Sequence, residues 1–301
     1  MSIVHEVCSI PEAYRDLLEG RIYATLATVM PDGQPQSTVV WCDFDGKYVL
    51  INTMRGFRKE KNMRANPKVT LLAYDQCNPL RSLEVRGTVV EMTETGALAH
   101  LDSLSVKYVG RGPYFGACVP AELSEREHPV LCRITPTRVV TLNAGSAVDN
   151  INFSKPLRVV PADGWLPQSH LDLMAQPIHG VLTTLLPDGQ PQSSLVWFDY
   201  DGDSLRVNTT RQRQKGRNMQ TNPKVSLLII DPDNTGRWIE VRGQVTITEE
   251  GAWEHLDELT RQYTRHEHYY GGIYPVERQA QETRIICHVK PGKLTLDAIH
   301  K

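Results

Sequence analysis

Hydrophobic and polar positions form short apolar runs broken by turn residues, and the whole succession appears twice along the chain. Residues 22–29, 35–41 and 47–53 are apolar or β-branched, and the polar breaks between them, PDGQ and DFDG, carry Asp-Gly pairs. Asp-Gly between apolar runs is a hairpin signal, so the pattern predicts an antiparallel meander. A helix is predicted over 57–65, ended by Asn66-Pro67 because proline cannot continue the hydrogen-bond ladder. Strands follow at 69–74 and 82–92, then a helix near 95–108 and a pair of strands around 130–135 and 138–142. A short helix opens the copy, with Ser9 as its expected N-cap, Pro11 in its first turn and Glu12 three residues after the cap. Six or more short strands with few helices predict a mainly β fold, a small closed or nearly closed barrel in each copy.

The second copy is specific in its letters. Pro31-Asp-Gly-Gln-Pro-Gln-Ser37 returns as Pro187-Asp-Gly-Gln-Pro-Gln-Ser193, an offset of 187 − 31 = 156 that also carries Trp41 to Trp197, Lys59 to Lys215 and Glu84-Val-Arg-Gly87 to Glu240-Val-Arg-Gly243. The offset falls to 155 at His100-Leu-Asp102 against His255-Leu-Asp257, and to 154 at Thr141-Leu142 against Thr295-Leu296. A repeat this long is a duplicated domain rather than a solenoid unit. The expected division is a first domain over 1–145, a linker of small, polar and turn-forming residues over 146–161, and a second domain over 162–301.

Asn52 to Val69, NTMRGFRKEKNMRANPKV, returns as Asn208 to Val225, NTTRQRQKGRNMQTNPKV. Between Arg55 and Lys68 stand six basic residues, Arg55, Arg58, Lys59, Lys61, Arg64 and Lys68, against the single acid Glu60, in a chain of formal net charge -2. A helix start facing a strand end exposes unpaired N–H groups, and cations placed there make a phosphate site. The plainer reading is a solvated basic face. Repetition of the cluster at the same place in both copies favours anion binding.

The 301 residues, 40% hydrophobic and 23% charged, describe an ordinary globular chain. No segment approaches the roughly 18 apolar residues of a membrane span, and the N-terminus reads as neither signal nor transit peptide. A cytoplasmic location is expected, with no membrane partner. A sequence pI near 6.6 without an extended basic stripe speaks against nucleic acid. The six cysteines show no CxxC and no metal-ligand spacing with histidine, so no metal is expected and reduced thiols are. Cys132 and Cys287, inside VLCRI and IICHV, read as small buried strand residues, and His266-Glu267-His268 reads as polar loop.

Asn52-Thr53 at a strand end, Arg58-Lys59 five and six residues after the threonine, Asn62 and Asn66-Pro67 resemble the flavin-phosphate segment of the pyridoxamine 5′-phosphate oxidase-like, FMN-binding split-barrel superfamily. The full run ATLATVMPDGQPQSTVVWCDFDG…NT…RKEKNMRANPKV…LEVRG resembles the branch of that superfamily described as oxidoreductases using the deazaflavin coenzyme F420. The resemblance covers roughly 10–143 and 166–298. It implies two tandem six-stranded antiparallel split barrels; since the family normally dimerises with cofactor between two barrels, it further implies an intramolecular pseudo-dimer, the chain being a monomer or a homodimer. It implies that Thr53, Arg58, Lys59 and Asn62 hold the cofactor phosphate and that the backbone of Thr38, Val39, Val40 and Trp41 meets the ring system. Arg55 and Lys61 are neighbouring candidates by charge. In the second half Thr209, Lys215 and Asn218 match, Gln214 stands where the arginine of the Arg-Lys pair would, and Arg213 or Arg211 is the nearby cation. The branch's Glu-x-Arg before the last strand is kept as Glu282-Thr-Arg284, whereas the first half has Glu127-His-Pro129, leaving Arg126 or Arg133 to serve.

Flavin and deazaflavin carry hydride themselves, so no catalytic side chain is required. The resemblance implies an FMN- or F420-dependent oxidoreductase transferring hydride to or from a small organic substrate. The alternative is a non-catalytic FMN, F420 or haem binding or carrier protein with one degenerate half. The surplus cations of both islands, Arg55, Lys61, Arg64 and Lys68, then Arg211, Arg213, Arg217 and Lys224, favour F420 with its acidic tail over FMN. Several aromatic and charged residues read two ways: Trp41 and Trp197 as a groove wall or core; Tyr108, Tyr114, Phe115, Tyr263, Tyr269 and Tyr270 as pocket lining or packing; Arg86 and Arg242 as solvated charge or cofactor contacts.

Overall fold

A computed structural model describes residues 8–143, 158–161 and 164–297 of the chain. One compact unit comprises the chain up to Asn143 together with Gly189–Ser193, and the other the remainder from 144 onward. The predicted linker lies outside the described residues except for its last four.

In the first unit, strands β1 (Ala24–Val29), β2 (Pro35–Val40), β3 (Cys42–Phe44) and β4 (Val49–Met54) form two separate hairpins, β1–β2 and β3–β4, rather than the single meander the pattern predicts, since β2 and β3 stand at opposite ends of the sheet. Both Asp-Gly turns behave as their chemistry requires. Gly33 and Gly46 take φ of 78° and 91°, conformations glycine adopts without steric penalty. Asp32 Oδ1 accepts the Gln34 N–H at 3.0 Å, and Asp45 Oδ1 accepts those of Lys47 and Tyr48 at 2.9 and 2.7 Å. Helix α2 (Arg58–Ala65) follows, then β5 (Lys68–Tyr74), β6 (Arg81–Thr93), α3 (Ala97–Val109) and β7 (Pro129–Asn143). The sheet order is β2-β1-β5-β6-β7-β4-β3, with every pairing antiparallel.

The second unit repeats this arrangement with β8 (Gly180–Leu185), β9 (Pro191–Val196), β10 (Phe198–Tyr200), β11 (Leu205–Thr210), β12 (Lys224–Ile230), β13 (Trp238–Thr248) and β14 (Arg284–Leu296), in the order β10-β11-β14-β13-β12-β8-β9. Helix α4 (Leu171–Ala175) opens this unit, and helices α5 (Gln214–Thr221) and α6 (Ala252–Tyr263) correspond to α2 and α3. Each unit is a curled antiparallel sheet around its own apolar core: Leu26, Ile51, Leu71, Val85 and Ile134 are central to the first, Leu182, Val207, Leu227, Val241 and Ile285 to the second.

Three further expectations are corrected. Each sheet has seven strands rather than six, because Cys42–Phe44 and Phe198–Tyr200 pair with the strands after them. The two strands expected over 130–142 are one, β7, since Pro136 stands opposite Gly87 at a register shift where the ladder tolerates a missing donor. At the N-terminus Ser9 caps nothing: Pro11 precedes a 3-10 turn, Glu12–Tyr14, and α1 (Asp16–Glu19) follows, neither with a side-chain cap.

The EVRG motif owes its glycine to this bulge. A Cβ on Gly87 would lie 2.6 Å from both the Thr135 carbonyl oxygen and Ile134 Cγ2, and one on Gly243 would lie 1.9 Å from the Lys290 carbonyl oxygen.

Candidate functional site

The first basic island sits where β4 runs into α2. Alternation along β4 buries Val49, Ile51 and Thr53 and leaves Leu50 and Asn52 half-buried. Thr53 is thus on the core side at the strand's end, and its hydroxyl is buried without a hydrogen-bond partner. After a turn through Gly56, with φ of 85°, Phe57 precedes the helix and no side chain caps it. The N–H groups of Arg58, Lys59 and Glu60 are those a helix leaves without an internal acceptor.

Lys59 is 5% exposed. Burial pushes its ammonium down to about 8, with no carboxylate among the causes acting on it. A buried lysine with no carboxylate acting on it, a buried hydroxyl without a partner and a helix start without a side-chain cap all fall between Thr53 and Glu60, and each is a feature that a phosphate would satisfy.

The remaining candidates are placed differently. Arg55 is exposed and ion-paired with Glu94. Arg64 pairs with Glu60, whose other oxygen accepts the Gly56 N–H at 3.1 Å. Arg58 and Lys61 are exposed. Asn62 is buried and donates to Thr28 Oγ1 at 2.9 Å and Gln36 Oε1 at 3.4 Å, fastening α2 to β1 and β2. Thr38, Val39 and Val40 lie on β2, an edge strand of its sheet, so one side of their backbone is outside that sheet's ladder. The Thr38 hydroxyl is also buried without a partner.

In the second unit Thr209 repeats the orphaned buried hydroxyl, while the cations around it are engaged. Arg211 pairs with Glu249 at 2.6 Å and donates to Gln220 at 2.8 Å. Arg217 donates to the Gln212 carbonyl and to Gln214. Burial works to lower Arg213, but the charge and hydroxyl of Tyr269, with Glu282 after them, leave it raised. Lys215 is half-buried. Asn218 donates to Thr184 at 2.9 Å and accepts from Gln214 at 2.7 Å.

Arg284 separates the halves further. It is 3% exposed, donates to Tyr270 Oη at 2.8 Å and to Glu282 at 2.9 Å, reaches Asn208 Oδ1 at 3.5 Å, and lies over the Tyr269 and Tyr270 rings at 4.8 and 5.3 Å. Its place in the first unit is taken by Pro129. Neither Arg126, which ends a 3-10 turn, nor Arg133, paired with Glu91 at 2.7 Å, replaces it. Asn52 Oδ1, the counterpart of the acceptor Arg284 reaches, is accordingly buried and unpartnered, and so is His100 Nε2. Burial also lowers the His100 imidazole. Asn52, which opens the motif quoted for the resemblance, and His100 meet at 3.3 Å, and neither was among the residues expected to hold the cofactor. Their recurrence as Asn208 and His255, 3.4 Å apart, was the available signal.

Of the residues read two ways, Trp41 and Tyr108 pack on one another, and so do Trp197 and Tyr263. Trp41 stacks on Tyr108 at 5.3 Å and Trp197 on Tyr263 at 5.2 Å, and both tyrosine hydroxyls bond backbone carbonyls, Tyr108 those of Ile22 and Cys42 and Tyr263 those of Ile178 and Phe198. Arg86 and Arg242 are buried beside Glu84 and Glu240 at 2.9 and 3.2 Å, so they are not solvated charge. Cys132 and Cys287 are fully buried. Among the described residues, no group of three or more His, Cys, Asp or Glu is placed to hold a metal ion, and no helix is long and apolar enough to cross a membrane.

Comparison with known proteins follows the duplication. The pyridoxamine 5′-phosphate oxidase family matches at residues 10–143 and again at 166–293. No curated protein matches. Among solved structures, a protein titled F420 reductase is 35% identical over 43% of this chain and 98% of its own, with a TM-score of 0.37. A conserved hypothetical protein from Mycobacterium tuberculosis is 25% identical over 46% of this chain and 89% of its own, TM-score 0.35. The heme storage protein HutZ from Vibrio cholerae is 17% identical over 44% of this chain and 94% of its own, TM-score 0.35.

Proposed function

We propose, from the premise that this chain belongs in both halves to the pyridoxamine 5′-phosphate oxidase family, that it is an oxidoreductase working with a flavin-type cofactor whose phosphate is held by the first unit. The observation that carries this reading is Lys59, a buried cation with no carboxylate acting on it, six residues after the orphaned Thr53 hydroxyl. In this reading Lys59 neutralises the phosphate, Thr53 donates to it, and the first-turn N–H groups of α2 orient it. The ring system lies along the open side of β2 at Thr38, Val39, Val40 and Trp41. The cofactor, when bound, supplies the hydride chemistry, and the protein binds it, excludes water and presents a small organic substrate.

F420 is preferred to FMN on a narrower basis than the sequence offered. Arg55 and Arg64 are already paired with acids, which leaves Arg58 and Lys61 as the exposed cations able to meet an acidic tail. A second, weaker site lies at Thr209 and Lys215.

Absorbance titrations of the purified chain with F420, FMN and haem at matched ionic strength test this reading. Saturable F420 binding that weakens with salt is expected. Binding of haem alone, or of none of the three, would overturn it; tighter FMN binding would reassign the cofactor.

A further inference from the structure

A cavity of about 310 Å³ lies in the second unit, lined by Arg158, Asp199 on β10, Glu258, Arg261 and Gln262 in or near the end of α6, and Pro177. It shares no residue with the cluster around Thr209 and Lys215.

Its origin lies in an exchange of cations between the two copies. In the first unit Lys107 donates to the Leu18 and Cys42 carbonyls at 2.8 and 2.9 Å and pairs with Asp43 at 3.2 Å. At the offset of 155 its counterpart is Gln262, which cannot supply that charge. The equivalent carbonyls, those of Met174 and Phe198, are taken instead by Arg158 Nη2 at 2.6 and 3.3 Å, and the Arg158 backbone N–H bonds the Ala175 carbonyl at 3.0 Å. One edge of the guanidinium therefore does what the lysine does. Two donors are left over: Arg158 Nε and Gln262 Nε2 are both buried without a partner, an arrangement proteins avoid unless something accepts from them.

The acid on this wall is already satisfied. Asp199 binds Arg206 through both oxygens, at 2.8 and 2.5 Å, with His255 at 3.4 Å. Burial alone would raise its carboxyl, but those partners hold it at about 2. Exposed Glu258 is the other acid of the lining, and neither carboxylate accepts from Arg158 Nε or Gln262 Nε2, so the two unmet donors, one of them on a cation, stay without an acceptor.

We propose that this cavity is a binding site for a small organic monocarboxylate, which accepts hydrogen bonds from Arg158 Nε and the Gln262 amide. Its size lies at the lower end of small-molecule pockets. Ionised Asp199 and the acidic Glu258 on the same wall disfavour a dianion such as phosphate, and one free guanidinium edge suits a single carboxylate oxygen.

The site is tested on the full chain with acetate, propionate and benzoate, observed by ligand-detected NMR and calorimetry, with inorganic phosphate and chloride at equal ionic strength. Saturable binding of at least one carboxylate is expected. It should weaken at least tenfold in Gln262→Leu and in Gln262→Met, each of which removes the donor while keeping an apolar side chain of similar size. Both variants should retain the thermal melting and the cofactor titration of the parent chain, which separates this site from the cofactor reading. Absence of saturable binding by every carboxylate, equal binding by phosphate, or affinity unchanged in both variants would overturn the proposal.

Discussion

Lys59 holds a charge where burial works against it, and the sign of that effect is measurable. Its ammonium titrates near 8 in the folded chain against 10.5 ordinarily. Between those values the unfolded chain binds the extra proton, so stability without ligand rises with pH through that window. Below about 8 the full cost, on the order of 3 kcal/mol, is present. Lys59→Met should therefore be more stable than the parent at pH 7, with the difference shrinking toward pH 10 in denaturant unfolding. A variant less stable at pH 7 would show that Lys59 has an internal partner. The same depression predicts that affinity for a phosphate-bearing ligand falls above pH 8, because binding must then take up a proton; titrations at pH 7 and 9 check it. Thr53→Val removes an orphaned hydroxyl with little change of shape, so it should weaken cofactor binding while leaving the unliganded melting temperature equal or higher. At this scale the sequence exposed Thr53 and Lys59 through their repetition. It could not show that Arg55 and Arg64 are spent on Glu94 and Glu60, because those pairings depend on how the turn and helix are placed.

Among the elements, the hairpins were legible because Asp-Gly turns act locally, and α2 and α5 were legible because Asn-Pro ends both. The seventh strand was not, since three residues carry too little alternation to mark a strand. Nor was the continuity of β7 through Pro136, because proline reads as a break unless its bulge partner, here Gly87, is known. The bulge yields its own prediction. Gly243→Ala would place a methyl 1.9 Å from the Lys290 carbonyl oxygen, and should destabilise the second unit by about 3 kcal/mol. Gly87→Ala, with contacts of 2.6 Å, should cost less, and calorimetry on both variants would reveal the order. Equal, small shifts would mean the bulge relaxes freely.

Across the whole molecule, duplication preserved the topology while the two candidate sites diverged. The second unit spends Arg284, Tyr270 and Glu282 on one another and reaches Asn208, whereas the first leaves Asn52 Oδ1 without such a partner and buries Lys59 with no carboxylate acting on it. The duplication was plain in the letters. This divergence was visible only in part, as Pro129 against Arg284, because what fills a vacated place depends on packing. If the tandem copies supply each other's family partner, the chain should sediment at 33.9 kDa, and twice that mass would show that a second chain is needed. Whether the first unit holds the cofactor phosphate at Lys59 is decided by titrating F420 and FMN into the parent, Lys59→Ala and Lys215→Ala chains. Lys59→Ala should weaken the tighter binding by roughly 1 to 3 kcal/mol and Lys215→Ala by less. Unchanged affinity in Lys59→Ala would place the phosphate elsewhere.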